Sequence, residues 1–347
     1  MASEGLDGPV EKEGCDVAST EERERELTTE PLRWGLIGSG LIAKAFADDL
    51  TVTDSGRVVA IGSRSQESAD HFADKFGIPH RHASYEALVA DPDVEVVYVA
   101  TPHPMHLANA LLALEAGKPV LVEKAFTMNA GEARELVASA RAKGLFLMEA
   151  MWTRFLPHIA EVNRLLAAGA LGDIVTVMAD HGQWFPKDPA FRLFAPELGG
   201  SALLDCGVYP VSFASMVLGK PDKIVALVAP AFTGVDGQTS MLFGFASGAQ
   251  ALLTCTSSAR TPVCAVIVGT EARIEIDSLF YAPSSFSLIG RDGNVSRFAP
   301  PHKGKGLHYE ADEVARCLRT GLLESPLMPL DETVAIMETM DTVLAQA

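Results

Sequence analysis

The chain has 347 residues, enough for two hydrophobic cores rather than one. Apolar residues make up 48% and charged residues 21%, an ordinary globular balance, and no apolar run approaches the ~20 residues of a membrane-spanning helix. A formal charge of −17 argues against nucleic acid or an anionic membrane as the main partner.

Residues 1–30 carry ten Asp and Glu against three Lys and Arg, with few large apolar side chains. Such a segment cannot offset its own ordering entropy, so a disordered acidic tail is expected. It has neither a basic n-region nor an apolar h-region, which predicts no secretory signal and a cytoplasmic protein. The five cysteines (Cys15, Cys206, Cys255, Cys264, Cys317) form no C-x-x-C pair, as expected for reduced thiols rather than a disulfide framework or a zinc site.

Beyond the tail, strand and helix signals alternate. Strands are expected at 32–37, 58–61, 94–100, 120–122 and 145–149. Helices are expected at 41–50, 67–76, 85–90, 105–116 and 130–143. Apolar strands alternating with helices predict an α/β architecture, a doubly wound parallel sheet of the Rossmann type, up to a boundary near Met151. A helix at 158–168, a strand at 174–179 and a Gly-led apolar helix ending near Gly219 follow. From 224 to 289, strand-like runs succeed one another without helices, and two helices close the chain at 307–319 and 331–345. Residues 152–347 therefore read as an α+β domain with a largely antiparallel open sheet, whose last helix packs back on the first domain.

Gly38-Ser39-Gly40-Leu41-Ile42-Ala43 is a G-x-G-x-x-A pattern at the first strand–helix junction. The first Gly permits a tight turn, the second lets backbone approach a pyrophosphate, and the small third residue lets helix and strand pack closely. N–H groups at the helix start then face the phosphates, which predicts a dinucleotide. At the end of the second strand an NAD site usually has a carboxylate for the ribose 2′-hydroxyl, whereas an NADP site needs a cation. Here Gly62-Ser63-Arg64-Ser65 offers a donor in Ser63 and a cation in Arg64, with no carboxylate before Glu67, so NADP is expected over NAD.

Glu123-Lys124 follows a short strand, at the strand end where ligands of parallel sheets sit. The lysine would hold a substrate oxygen as a charged donor or, with a depressed pKa, move a proton. Thr101, Pro102 and His106 follow the preceding strand and are expected close by. Asp205 and Tyr209, four apart in the Gly-led segment, would share one helix face. Beside a lysine, a tyrosine phenol is expected to serve as general base, because the ammonium favours the phenolate.

With these residues assembled, the chain from about 31 to 345 resembles the glucose–fructose oxidoreductase/inositol dehydrogenase (Gfo/Idh/MocA) family. The resemblance rests on the Rossmann fingerprint, an E-K-P-like motif and a G-G-G-x-x-x-D-x-G-x-H-like segment. Met148 to Phe155, with Tyr209 where many relatives carry His, is similar to the dimeric dihydrodiol dehydrogenase and NADP-dependent D-xylose dehydrogenase branch. The resemblance implies Lys124 and Tyr209 as the catalytic pair with Asp205 on the substrate side, an NADP-linked hydride transfer to or from a sugar, polyol or cyclic diol, and a homodimer formed through the outer face of the C-terminal sheet. Ala125 replaces the proline of E-K-P, so a cis bond is not expected there. Ser201 replaces the third Gly, and Tyr209 argues against an inositol-type substrate.

Trp152, Trp184, Phe185 and Arg192 are expected to line a substrate pocket, core packing or an interface being an equal account of the tryptophans; the resemblance favours Trp152 and Arg192. His80/His82 and His103/His106 lack a companion ligand cluster in the sequence, so no metal is expected. Cys206 reads as a buried inert thiol. Two other readings stay open: a redox-neutral nicotinamide-dependent glycosidase, and a non-catalytic NADP sensor, against which the full Lys124, Asp205 and Tyr209 set argues.

Overall fold

A computed structural model describes residues 30–347, so the expectations for the acidic tail and Cys15 lie outside the described residues. β1 (Leu32–Ile37), β2 (Gly56–Gly62), β3 (His80–His82), β4 (Val96–Val99), β5 (Val120–Glu123) and β6 (Leu147–Ala150) pair in parallel, in the order β3-β2-β1-β4-β5-β6. All four residues of each of β4, β5 and β6 are buried, as continuous apolar runs covered on both faces must be. The strand order reverses between β1 and β4. The crevice above their carboxyl ends is the place where open parallel sheets bind ligands.

Local chemistry sets the helix ends. α1 (Leu41–Asp49) starts at Gly40 with no side-chain cap, leaving its first amides open. In α2 (Gln66–Phe76) the Ser65 hydroxyl accepts from the Ser68 amide, and Gly77 at φ +67° ends the helix. α3 (Tyr85–Val89) and α4 (His106–Glu115) follow. α5 (Ala130–Lys143) is capped by Asn129 and closed by Gly144.

β3 was not anticipated: its three residues, His-Arg-His, are too few and too polar to show a strand pattern. A second correction concerns the apolar stretch Pro196–Leu218, which is long enough to cross a membrane by length and composition. Of its most apolar 18 residues, 78% are buried inside the fold, as in a core segment.

After α6 (Pro157–Ala167), an eight-stranded sheet is built from β7 (Ile174–Gly182), β8 (Lys223–Pro230), β9 (Asp236–Gly244), β10 (Gln250–Thr256), β11 (Ala265–Gly269), β12 (Ala272–Ile276), β13 (Phe286–Gly290) and β14 (Val295–Phe298), in the order β14-β13-β12-β11-β7-β10-β9-β8. Every pairing is antiparallel except β10 on β7. The edge strand β14 is mostly exposed, and so lacked an apolar signal.

α7 (Val208–Leu218) covers one face of this sheet, against β7 and β10. On the other face the registers Val225–Leu242, Leu242–Leu252 and Leu252–Met178 lay an apolar row across four strands, with its members 39–62% exposed. α8 (His308–Arg319) and α9 (Leu330–Leu344) end the chain. α9 packs on α5, where Asp341 accepts the Ala130 amide at 2.9 Å and Arg141 pairs with Asp331 at 2.8 Å.

Candidate active site

A cavity of about 640 Å³ opens above the carboxyl ends of β1 and β4. Its first wall is backbone. Gly38 has φ +103°, and a Cβ there would stand 2.8 Å from the Ala100 carbonyl, so the turn admits only glycine. Around Gly40 an added Cβ would meet nothing within 4 Å, and Gly40, Leu41 and Ile42 line the cavity, with Leu41 85% exposed. An uncapped helix start, a close backbone approach and an exposed leucine fit a dinucleotide whose pyrophosphate rests on the α1 amides. Ser39 and Ser63 approach each other, Oγ to Oγ 3.4 Å, and Arg64 beyond them is exposed.

The turn after β4 supplies Thr101 and Pro102 to the wall. Asn109 donates to the Thr101 hydroxyl at 3.1 Å. His106 was expected beside the cofactor, but it is wholly buried and absent from the wall. Its ring nitrogens stand 2.8 Å from the Thr101 carbonyl and 2.9 Å from the Ala125 carbonyl, tying two strand ends together. The Lys124–Ala125 peptide is cis, against the expectation drawn from the missing proline. That expectation weighed the amide alone, and the His106 clamp on the Ala125 carbonyl is a tertiary contact no local rule includes.

Lys124 and the Gly-led segment meet at the cavity floor. The Lys124 ammonium donates to the Asp205 carbonyl at 2.9 Å and to Asp205 Oδ1 at 3.1 Å, and it sits 4.9 Å from the centre of the Tyr209 ring. Arg192 grips the same carboxylate, with 3.0 Å to each oxygen. Trp152 does not line the cavity; its indole N–H donates to the Tyr209 hydroxyl at 3.1 Å. Asp205 and Tyr209 do share a direction, but not through an α-helical turn. Residues 203–207 form a π turn in which the Val208 amide reaches the Leu203 carbonyl, and α7 begins only after it.

The electrostatics follow from burial and this charge set. Burial alone would lower the Lys124 pKa, but Asp205, then Tyr209 and Glu123, outweigh it and hold the ammonium well above the ordinary lysine range. The option of a lysine with a depressed pKa is thereby removed: Lys124 is a fixed cation. Asp205 is raised by burial and lowered more by Lys124 and Arg192, so its carboxylate stays ionised. Burial also raises Tyr209 above an ordinary phenol, and Lys124 and the Trp152 bond recover only part of that. The expected phenolate therefore does not form at neutral pH in this state.

Glu123 lines the cavity beside Lys124, although only 5% of it is exposed. It takes the Tyr98 hydroxyl on one oxygen and the Lys124 amide on the other at 3.1 Å, and burial raises its pKa.

Sequence reasoning missed part of the far wall. His181, Gln183 and Tyr281 line it, with His181 stacked 4.4 Å from Tyr281, and Tyr281 4.6 Å from Tyr209. Burial lowers His181 to about 4 and His103, also in the wall, to about 3, so both rings are neutral at pH 7. Phe185 lines the cavity as expected and Phe191 joins it, whereas Trp184 is 57% exposed and outside it. Cys206 reaches the wall as an inert thiol, pushed up to about 12 by burial. Outside the cavity, Asp91 joins His80 and His82, so that pair does have a companion ligand, supplied by a loop that sequence spacing did not connect to it.

Residues 32–151 match the model of an oxidoreductase family with an NAD-binding Rossmann fold, and residues 159–275 match the GFO/IDH/MocA C-terminal domain. Trans-1,2-dihydrobenzene-1,2-diol dehydrogenase of Mus musculus is 40% identical over 322 residues, covering 89% of this chain and 95% of the relative. The Homo sapiens protein of that name is 37% identical over 321 residues, covering 90% and 96%. Among solved structures, an aldose-aldose oxidoreductase from Caulobacter crescentus complexed with glycerol aligns with TM-score 0.83 at 25% identity, covering 91% of this chain and 97% of that one. KijD10, a 3-ketoreductase from Actinomadura kijaniata in complex with NADP and TDP-benzene, aligns with TM-score 0.81 at 27% identity, covering 91% and 98%. The chain belongs to the GFO/IDH/MocA oxidoreductase family and is a nicotinamide-dependent dehydrogenase.

Proposed function

We propose that the protein is an NADP-dependent dehydrogenase interconverting a hydroxyl and a carbonyl on a sugar, polyol or cyclic diol. The observation that carries this reading is the convergence of the Lys124 ammonium, the Asp205 carboxylate and the Tyr209 phenol on one cavity whose opposite wall is the Gly38–Ile42 turn. The names of the dihydrodiol dehydrogenase relatives and of the NADP-bound ketoreductase support it.

In this reading residues 31–151 hold the dinucleotide, with Ser63 and the exposed Arg64 taking the 2′-phosphate. Residues 152–347 hold the substrate. When bound, the dinucleotide supplies hydride exchange with the reacting carbon.

Tyr209 Oη gives its proton to the carbonyl oxygen in reduction and takes it back from the hydroxyl in oxidation. Two of the three Lys124 donors are held by Asp205, and the third is free to bond a substrate oxygen. Arg192 and Asp205 together offer a donor and an acceptor to a second hydroxyl, while the His181–Tyr281 pair supplies a face for a ring. The protein is read as cytoplasmic, consistent with the unpaired Cys206, Cys255, Cys264 and Cys317. It is further read as a homodimer joined through the apolar row of the eight-stranded sheet.

A spectrophotometric screen of aldoses, polyols and cyclic diols with NADP and NAD tests the whole reading. Turnover with NADP preferred supports it. A cofactor that never exchanges and shows no net redox change would instead favour the glycosidase reading, and tight NADPH binding without turnover the sensor.

A further inference from the structure

β3 places two imidazoles on one face. Residues 80 and 82 alternate with Arg81, which turns the other way to pair with Asp74 at 2.7 Å. The loop after α3 brings Asp91 to the imidazole side. His80 Nδ1 stands 2.6 Å and His82 Nε2 2.9 Å from one oxygen, Asp91 Oδ2, and the three donor atoms lie within 4.8 Å of one another.

Asp91 is held in place. It is 7% exposed, its Oδ1 accepts the Asp93 amide at 2.9 Å, and Lys118 fastens the loop through the Asp91 and Val94 carbonyls at 2.9 and 2.6 Å. The other nitrogen of His80 faces Asp93 Oδ2 at 3.6 Å, the outer carboxylate that commonly orients a metal-ligating imidazole. Asp93 in turn is paired with Arg33 at 3.1 Å. The His80 and His82 side chains are 34% and 22% exposed, which leaves an approach from solvent.

From this geometry we infer that His80, His82 and Asp91 form a site for a divalent transition metal of the zinc class, on the edge strand of the dinucleotide sheet and separate from the active site. Two imidazoles and a carboxylate are a nitrogen–oxygen set that such ions prefer. Around zinc with bonds of ~2.0–2.2 Å, neighbouring tetrahedral ligand atoms stand about 3.3 Å apart. Ring movements of under about 1 Å convert the present hydrogen-bond spacing to that arrangement. The ion takes the place of the protons that the imidazoles share with Asp91. The His82 carbonyl accepts the Ser63 amide at 3.0 Å, so the ion would brace the strand beside the nucleotide end of the cofactor site.

The test is titration of Zn²⁺ into the full chain by calorimetry, with His80→Ala/His82→Ala, Asp91→Asn and His82→Gln beside it. His82→Gln keeps a donor for Asp91 while removing a good zinc ligand, so it separates ligation from folding. The expected result is one ion per chain at micromolar affinity, at least about tenfold weaker in every variant. Excess Zn²⁺ should also raise Tm by a few degrees in the parent and not in His82→Gln. Affinity that is equal in parent and variants, or no saturable binding in the micromolar range, overturns the proposal.

Discussion

At the scale of single residues, Tyr209 carries the most testable chemistry. It keeps its proton because burial outweighs the neighbouring ammonium. Tyr209→Phe removes the transferable proton but keeps the ring contacts with His181 and Tyr281. Steady-state assays should show turnover falling by about 10²–10⁴-fold while NADPH affinity, read by titration, stays within a factor of a few. Near-normal turnover would remove Tyr209 from the mechanism.

The direction of its pKa also sets a pH profile. Reduction needs the protonated phenol, which persists below the raised pKa, so its rate should be level across neutral pH. Oxidation needs the deprotonated form, so its rate should climb on the alkaline side without levelling before about pH 10. An oxidation rate already flat from pH 7 upward would show that deprotonation of this buried phenol does not limit oxidation. Lys124 should add no limb of its own, since Asp205 holds its charge.

At the scale of elements, the first strand–helix turn and the Gly-led segment differ in how they are encoded. The turn was legible because its requirement is local: φ +103° at Gly38 and a carbonyl where a Cβ would go. Gly38→Ala should cost about 1–3 kcal/mol of stability in urea unfolding and weaken NADPH binding at least tenfold. Unchanged affinity would mean that the pyrophosphate does not rest there.

The π turn carrying Asp205 was not legible, because an i→i+5 bond depends on what the segment packs against rather than on its own residues. The cis Lys124–Ala125 peptide escaped for the same reason. β3 and β14 escaped through brevity and polarity. His181 and Tyr281 carry no motif; sheet pairing alone brings the end of β7 and the loop after β12 to the same wall.

At the scale of the whole molecule, both sheets and their order of appearance were readable from apolar periodicity, because each strand declares how many of its faces are covered. What lies on the uncovered face is less determined. Val225, Leu242, Leu252 and Met178 are register neighbours, so the row is continuous rather than scattered, as expected of a surface that binds another subunit. Light scattering should give twice the chain mass for the parent. Leu242→Lys with Leu252→Lys should give a monomer, because two like charges then face each other across a symmetric contact. A parent that is monomeric at micromolar concentration rejects the dimer.

The bond from the Trp152 indole to Tyr209 also gives the protein a built-in optical reporter. Of its three tryptophans, Trp34 is sealed in a core and Trp184, between the lining residues Gln183 and Phe185, is 57% exposed, while the indole bonded to Tyr209 is that of Trp152. Trp152 donates its indole hydrogen to the phenol proposed to exchange the proton. A ligand that competes for that hydroxyl should shift the emission of this one indole, and the shift should vanish in Tyr209→Phe, so occupancy could be followed by light before any product forms.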